Sequence, residues 1–222
     1  MAPNIVLPDP PLPNIDRQTY RLPNNQYVNE HCGKTGIVLH HTISSNVQSV
    51  YNWWLEKGQT KVIRVGTAYV VHSDGTIYEF FPDTMWAWHL GKGCGTANEM
   101  RTIGIELVSE GALIKTDTGY ESELGHKVKP ENVVTLEEEW RGFKYFDRYD
   151  KEQIDSLIML LFYLCDTHNI KRQIVGDLRT YNPDLRSFEG IFTHAQVRTD
   201  KKDVHPAFPL ERVAKWAKLN VI

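Results

Sequence analysis

At 222 residues the chain is long enough to bury a sizeable core as one generous domain. Hydrophobic residues (41%) and charged residues (24%) stand in the proportions of an ordinary soluble globular protein. A net charge of −3 and a pI near 6.3 supply no basic footprint, which argues against a nucleic-acid partner.

Residues 1–30 are rich in Pro and Asn and predict an extended N-terminal arm laid on a single domain spanning 31–222. The opening MAPNIVLPDPPLPNID has neither the basic n-region nor the apolar h-region of a secretory signal, so the expectation is synthesis in the cytoplasm. GIVLHHT (36–42) has the β-branched, apolar character of a buried strand. Ser45 and Gln48 suit a capping box for a helix whose apolar face is Val47, Val50, Tyr51, Trp54 and Leu55, with Gly58 as its stop. TAYVVHSDGTIYEFF (67–81) reads as a hairpin around Ser-Asp-Gly. In TIGIELV (102–108) alternation puts Ile103, Ile105 and Leu107 on one face, and Thr102, Gly104, Glu106 and Val108 on the other.

Residues 109–148 read as an irregular, charged insertion ending in the aromatic stretch WRGFKYFDRY. Asp150, with Gln153 three residues on, predicts the cap of a helix carrying Ile154, Leu157, Ile158, Leu161, Leu164 and Cys165 inward. The longest apolar run, LIMLLFYLC (157–165), is far too short to insert across a bilayer. Pro209 suits the first turn of a C-terminal helix with Leu210, Val213, Ala214 and Ala217 facing the core. Strands and helices interspersed in this way predict an α/β fold, a mixed central β-sheet flanked by helices. The three cysteines, Cys32, Cys94 and Cys165, are odd in number and lack CxxC spacing, so no disulfide framework is expected.

Two places invite a chemical reading. Glu106 is a carboxylate inside an apolar strand, costly to bury unless paired, hydrogen-bonded or employed. The stretch THAQVRTDKKDVHPAFP (193–209) holds two histidines, two aspartates and two lysines. It is either a solvated polar loop or one half of a metal site. A catalytic zinc takes three protein ligands and keeps a fourth position for water. A strand-end histidine plus a His and an Asp from this loop would meet that count. Spacing alone does not choose between the two readings.

Taken in order, IVLHHT, SDGTIYEFFPD, AWHLG, IGIELV, THAQV and KKDVHPAFP resemble the type 2 N-acetylmuramoyl-L-alanine amidases, the superfamily that includes peptidoglycan recognition proteins. The similarity runs from about residue 34 to 218, with 109–148 as an expansion. The resemblance implies a Zn²⁺ ion held by His40, His194 and Asp203, with Glu106 as general base and Lys201 as oxyanion donor. His205 is the rival to Asp203, and Lys202 the rival to Lys201. A catalytic tyrosine that some members carry would fall near Thr67, and its absence strengthens Glu106. Trp88 and His89 match a segment that lines the substrate cleft, and Asn98 matches a substrate-side asparagine more loosely.

The implied partner is peptidoglycan, cut between the N-acetylmuramoyl lactyl group and L-alanine. A phage endolysin acting on the cell wall is the expected setting. A cytoplasmic wall-recycling amidase and a muropeptide-recognition module without activity are the alternatives. Nothing in the sequence demands more than a monomer.

Overall fold

The computed structural model describes residues 8–61, 64–91 and 93–222, so the first seven residues of the expected arm lie outside the described residues. In chain order the first elements are β1 (Ile15–Asp16), β2 (Gly36–His41), α1 (Val47–Lys61), β3 (Tyr69–Val71), β4 (Ile77–Glu79), α2 (Thr96–Arg101) and β5 (Thr102–Leu107). Then come β6 (Ala112–Thr116), β7 (Gly119–Ser122), β8 (Lys127–Val128), β9 (Val133–Trp140) and β10 (Phe143–Asp147). The chain ends with α3 (Lys151–His168), β11 (Gln173–Ile174), β12 (Gly190–Thr193), α4 (His194–Val197), α5 (Leu210–Trp216) and β13 (Asn220–Val221).

Eight strands form the central sheet in the order β1-β4-β3-β5-β2-β12-β11-β13, and helices flank it. The β3–β4 hairpin is the antiparallel pair, and the other neighbours run parallel. All six residues of β2 are buried, as a parallel strand covered on both faces requires. Alternation divides them. Ile37 and Leu39 join Ile103, Ile105, Leu107 and the α3 residues Leu157, Leu160, Leu161 and Leu164 in the main core. Val38 faces the other way and packs with Leu90, Cys94, Phe192 and Val197 in a smaller cluster. Each such side chain contributes about 1.5–3 kcal/mol by leaving water, so the strand that carries the histidine pair is anchored from both sides.

Residues 8–30 lie along the sheet. β1 pairs with β4 (Ile15↔Ile77), the Leu22 N–H donates to the Phe80 carbonyl at 2.7 Å, and Leu22 and Tyr27 are buried. Among the described residues no helix is long and apolar enough to cross a membrane. All three cysteines are free, with Cys94 and Cys165 buried.

Three local expectations are corrected. Asn46, not Ser45, accepts a first-turn N–H of α1 (Ser49, 3.3 Å), while Gln48 donates to Asn52 on the helix surface. Gly58 lies inside α1, which continues to Lys61; a glycine ends a helix only by leaving helical backbone, and as an interior residue it costs about 1 kcal/mol. Asp150 does precede α3, but its side chain makes no capping bond, and Gln153 instead donates across the sheet to the carbonyls of Val71 (2.8 Å) and Val108 (2.9 Å).

The largest correction concerns residues 109–148. Far from irregular, they form a five-stranded antiparallel sheet in the order β8-β7-β6-β10-β9. One face is charged because it meets solvent, whereas the other buries Ala112, Leu136, Trp140 and Phe146 against Ala195. The β9–β10 turn is made by Arg141 (φ 52°) and Gly142 (φ 81°), two consecutive left-handed residues as a tight hairpin demands.

Candidate metal centre and catalytic cleft

β2 lies between β5 and β12, and the parallel register aligns their C-terminal ends. His40 pairs with Glu106 on one side, and Leu39 pairs with Thr193 on the other, directly before His194. The turn into α4 is fixed by the Gln196 side chain, whose Oε1 accepts the Thr193 N–H (2.8 Å) while its Nε2 donates to the Asp177 carbonyl (2.6 Å). The Ala195 N–H donates to the Asp203 carbonyl at 2.6 Å, folding the following loop back onto α4.

The result is a triangle of donor atoms. His40 Nδ1 and His194 Nδ1 are 3.0 Å apart, and Asp203 Oδ2 lies 3.1 Å from the first and 2.9 Å from the second. The outer nitrogen of each ring is engaged elsewhere, His40 Nε2 with His89 Nδ1 at 3.0 Å and His194 Nε2 with the Leu90 carbonyl at 3.0 Å. With the imidazole protons on those outer nitrogens, three lone pairs converge with no hydrogen among them. A tetrahedral cation with ligand bonds of about 2.0–2.1 Å would hold its donors about 3.3 Å apart, so the cluster fits such an ion with a shift of a few tenths of an ångström.

The electrostatics agree. Burial and the neighbouring His194 push His40 down to about 4, so it is neutral and free to ligate. Burial works to raise Asp203, but the adjacent His194 and His40 outweigh it and hold the carboxyl well below its ordinary range.

Around the triangle opens a cleft of about 670 Å³ lined by His40, Glu106, Thr67, Trp53, Trp88, Lys201 and the turn residues Glu123, Leu124 and His126. Burial holds Glu106 well above the usual carboxylate range, with Asp203 adding to the rise and Lys201 opposing it. Its Oε2 has no hydrogen-bond partner among the described residues. Thr67 spends its hydroxyl on the Tyr69 carbonyl (3.0 Å), so that position offers no ionisable group.

Of the two lysines, Lys202 is engaged, its ammonium 2.8 and 2.9 Å from the Glu123 carboxylate and above the Phe143 ring. Lys201 has no ion-pair partner within 4 Å among the described residues, and it faces the cleft. His205 turns away from the donor triangle. Fully buried, it stacks on Tyr149 and Phe146, and its Nε2 donates to the Asp147 carbonyl at 3.0 Å.

Asn98 and His89 take different places relative to the cleft. The Asn98 amide donates to the Cys94 carbonyl (2.6 Å) and accepts from Arg101 Nε (2.8 Å), local bonds that keep it out of the cleft lining. The His89 imidazole, 4% exposed, has both nitrogens committed, one to His40 and the other to Thr102 Oγ1 at 2.9 Å. It lines the cleft beside Trp88, with both ring nitrogens engaged within the protein. Trp88 remains on the cleft wall, edge-on to Trp86.

Sequence reasoning missed Arg141, whose guanidinium donates to the carbonyls of Ala195 (2.7 Å), Arg198 (2.7 Å), Thr199 (3.1 Å) and Lys201. It ties the second sheet to the loop that carries Asp203. It also missed Glu99, fully buried in α2, which accepts three consecutive backbone N–H groups from residues 89–91. A carboxylate in an otherwise unremarked short helix gave no periodic signal.

Three donors on one side of a cleft and an unpartnered glutamate beside them describe a hydrolase able to work with a metal ion. The sequence model of the N-acetylmuramoyl-L-alanine amidase family (Amidase_2) matches residues 33–206, and the chain belongs to that family. It is therefore an amidase whose substrate is peptidoglycan, cut at the bond between the N-acetylmuramoyl group and L-alanine. No curated protein matches the sequence.

Among solved structures, the N-acetylmuramoyl-L-alanine amidase LysC from Clostridium intestinale is 19% identical over 94% of this chain and 99% of that one, with a TM-score of 0.52. The Escherichia coli amidase AmiD, in complex with the substrate anhydro-N-acetylmuramic acid-L-Ala-D-gamma-Glu-L-Lys, is 20% identical over 87% of this chain and 60% of that one, at 0.53. A mutant endolysin from Bacillus subtilis is 17% identical over 93% and 98%, at 0.51. These likenesses establish a shared fold.

Proposed function

We propose that the amide cleavage depends on zinc, with His40, His194 and Asp203 as ligands, Glu106 as general base and Lys201 as oxyanion donor. The observation that carries the reading is the triangle of buried donor atoms at 2.9–3.1 Å. A Zn²⁺ ion held by His40, His194 and Asp203 would supply Lewis acidity to the amide carbonyl and to the attacking water. Glu106, neighbour to His40 across the sheet, takes the proton from the attacking water. The Lys201 ammonium donates to the carbonyl oxygen as it gains negative charge. Glu106 then returns its proton to the amine of L-alanine as the carbon–nitrogen bond breaks. Its burial suits both halves of that task, because a carboxyl of raised pKa holds a proton readily. Trp88 and Trp53 offer apolar walls for the sugar and stem peptide.

The catalytic domain is read as residues 31–222, with 1–30 as an arm and 109–148 as a structured expansion that also walls the cleft. The chain acts in this reading as an endolysin, made in the cytoplasm and reaching the wall at lysis. Similarity to solved endolysins supports that setting. A wall-recycling role is the second reading, supported by likeness to AmiD with its anhydro-muropeptide.

Mass spectrometry of digested sacculi and of soluble anhydro-muropeptides, each with and without a chelator, tests the whole proposal. New L-alanine amino termini from sacculi, lost with chelator and restored by zinc, are expected. Cleavage of soluble fragments alone would move the protein to recycling, and chelator-resistant cleavage would end the zinc reading.

A further inference from the structure

Both candidate zinc histidines take their outer-shell partner from one short segment. His40 Nε2 meets the His89 imidazole and His194 Nε2 meets the Leu90 carbonyl, each at 3.0 Å. We infer that residues 89–91, pinned by Glu99, form a brace that sets the tautomer of both histidines, with His89 as a positioning residue. This rests on the zinc reading above.

A neutral imidazole has one N–H, and a ligand nitrogen must not carry it. Ligation through Nδ1 therefore requires the proton on Nε2 in both rings. At His194 a peptide carbonyl, which can only accept, stands at Nε2. At His40 the partner is another imidazole, and its own state has to be fixed in turn. The chain of bonds does this. The Thr102 hydroxyl donates to the Asn98 carbonyl, so its oxygen accepts from His89 Nε2–H (2.9 Å). His89 Nδ1 is left as an acceptor for His40 Nε2–H, and His40 Nδ1 keeps its lone pair for the metal. Because the chain ends on a carbonyl, every hydrogen bond in it points one way.

Two further features serve this arrangement. The Glu99 carboxylate, wholly buried, accepts the N–H groups of His89, Leu90 and Gly91 at 2.9 Å each, holding both acceptors in place at once. The His89 ring lies against β5 at Gly104, where a Cβ would come within 3.1 Å of the ring's Cγ and Nδ1. A Cβ at 104 would meet Thr67 Cγ2 first, at 2.8 Å, and the His89 ring next, so any other residue there would crowd both side chains. Outer-shell partners of this kind typically change metal affinity by about 10–100-fold.

The test is zinc affinity by competition with a chromophoric chelator, together with the melting temperature of the metal-free protein and ¹⁵N imidazole spectra. His89→Leu is expected to weaken zinc binding about 10–100-fold. His89→Asn places an amide oxygen near the former Nδ1 and is expected to restore most of it. His89→Asn should keep the wild-type melting temperature without metal, whereas His89→Leu, which leaves the buried His40 Nε2–H without an acceptor, should lower it. In the metal-free wild type, His40 and His194 should both show the Nε2–H tautomer. Wild-type zinc affinity in His89→Leu, or an Nδ1–H tautomer at His40 in the wild type, overturns the inference. The spectra decide it on the wild type even where His89→Leu does not fold. Wild-type protein that binds no zinc would instead end the zinc reading itself.

Discussion

His40 and Glu106 are register partners across the β2–β5 pair, so a donor of the metal triangle and the candidate base stand side by side on one face of the sheet. Neither depends on a flexible loop for its position. Since Glu106 is absent from the donor triangle, metal binding and proton transfer should be separable. Glu106→Gln keeps the volume and removes the base. Amidase turnover is expected to fall by about 10²–10⁴-fold, with zinc content and melting temperature close to wild type. Loss of zinc in this variant would show that the carboxylate is a ligand and not a base.

Lys201 and Lys202 are adjacent but differently employed. Lys202 is tied to Glu123 and Phe143 at a partly exposed pair, an interaction worth less than about 1 kcal/mol. Lys201→Ala is expected to lower the rate about 10²–10³-fold, as removal of an oxyanion donor does, without loss of zinc. Lys202→Ala should stay within a few-fold of wild type, roughly the effect of an exposed ion pair. Steady-state kinetics on a defined muropeptide would expose a reversed order, which would transfer the oxyanion role to Lys202.

The parts legible in the sequence were those with a strong local signal. Buried parallel strands announce themselves as apolar runs, so GIVLHHT and TIGIELV were placed correctly, and the Gly75 turn (φ 88°) between β3 and β4 was read from Ser-Asp-Gly. Asp203 and Lys201 are implied by the resemblance, and spacing alone does not separate them from His205 and Lys202. What separates them is three-dimensional: His205 is sandwiched between Tyr149 and Phe146, and Lys202 is paired with Glu123. The second sheet was misread because only one of its faces is buried, so VVTLEEEW carries three exposed glutamates among its apolar positions. His89 lines the cleft as AWHLG suggests, while its hydrogen bond to His40 has no local signal.

Arg141 gives the second sheet a role that composition did not suggest. One guanidinium serves carbonyls from Ala195 to Lys201, the segment between two of the proposed ligands. Arg141→Ala leaves those acceptors without a charged donor, at a cost of about 1–3 kcal/mol, and frees the loop that positions Asp203. Lower metal-free stability and weaker zinc binding are expected together. Arg141→Gly is the informative companion, because φ 52° at this position suits glycine while the fork is still lost. If the glycine variant recovers wild-type zinc affinity, the deficit in the alanine variant belongs to the turn and not to the guanidinium.

Asp147, at the end of β10, provides a pH signature independent of the metal ligands. Burial pushes its carboxyl from 3.8 up to about 6, against the opposing hydrogen bond from the Glu110 N–H at 2.7 Å. Between those two values the folded state holds a proton that the unfolded state has released. Stability from this group is therefore fully present below about pH 4 and is lost as pH rises through about 6, a change on the order of 2–3 kcal/mol. Asp147→Asn keeps an oxygen for the Glu110 N–H and cannot ionise. In chelator-treated protein its melting temperature should fall less steeply than the wild type's between about pH 4 and 7. Parallel curves for the two proteins would mean that the Asp147 carboxyl titrates alike in the folded and unfolded chains, and that burial at the end of β10 does not perturb it.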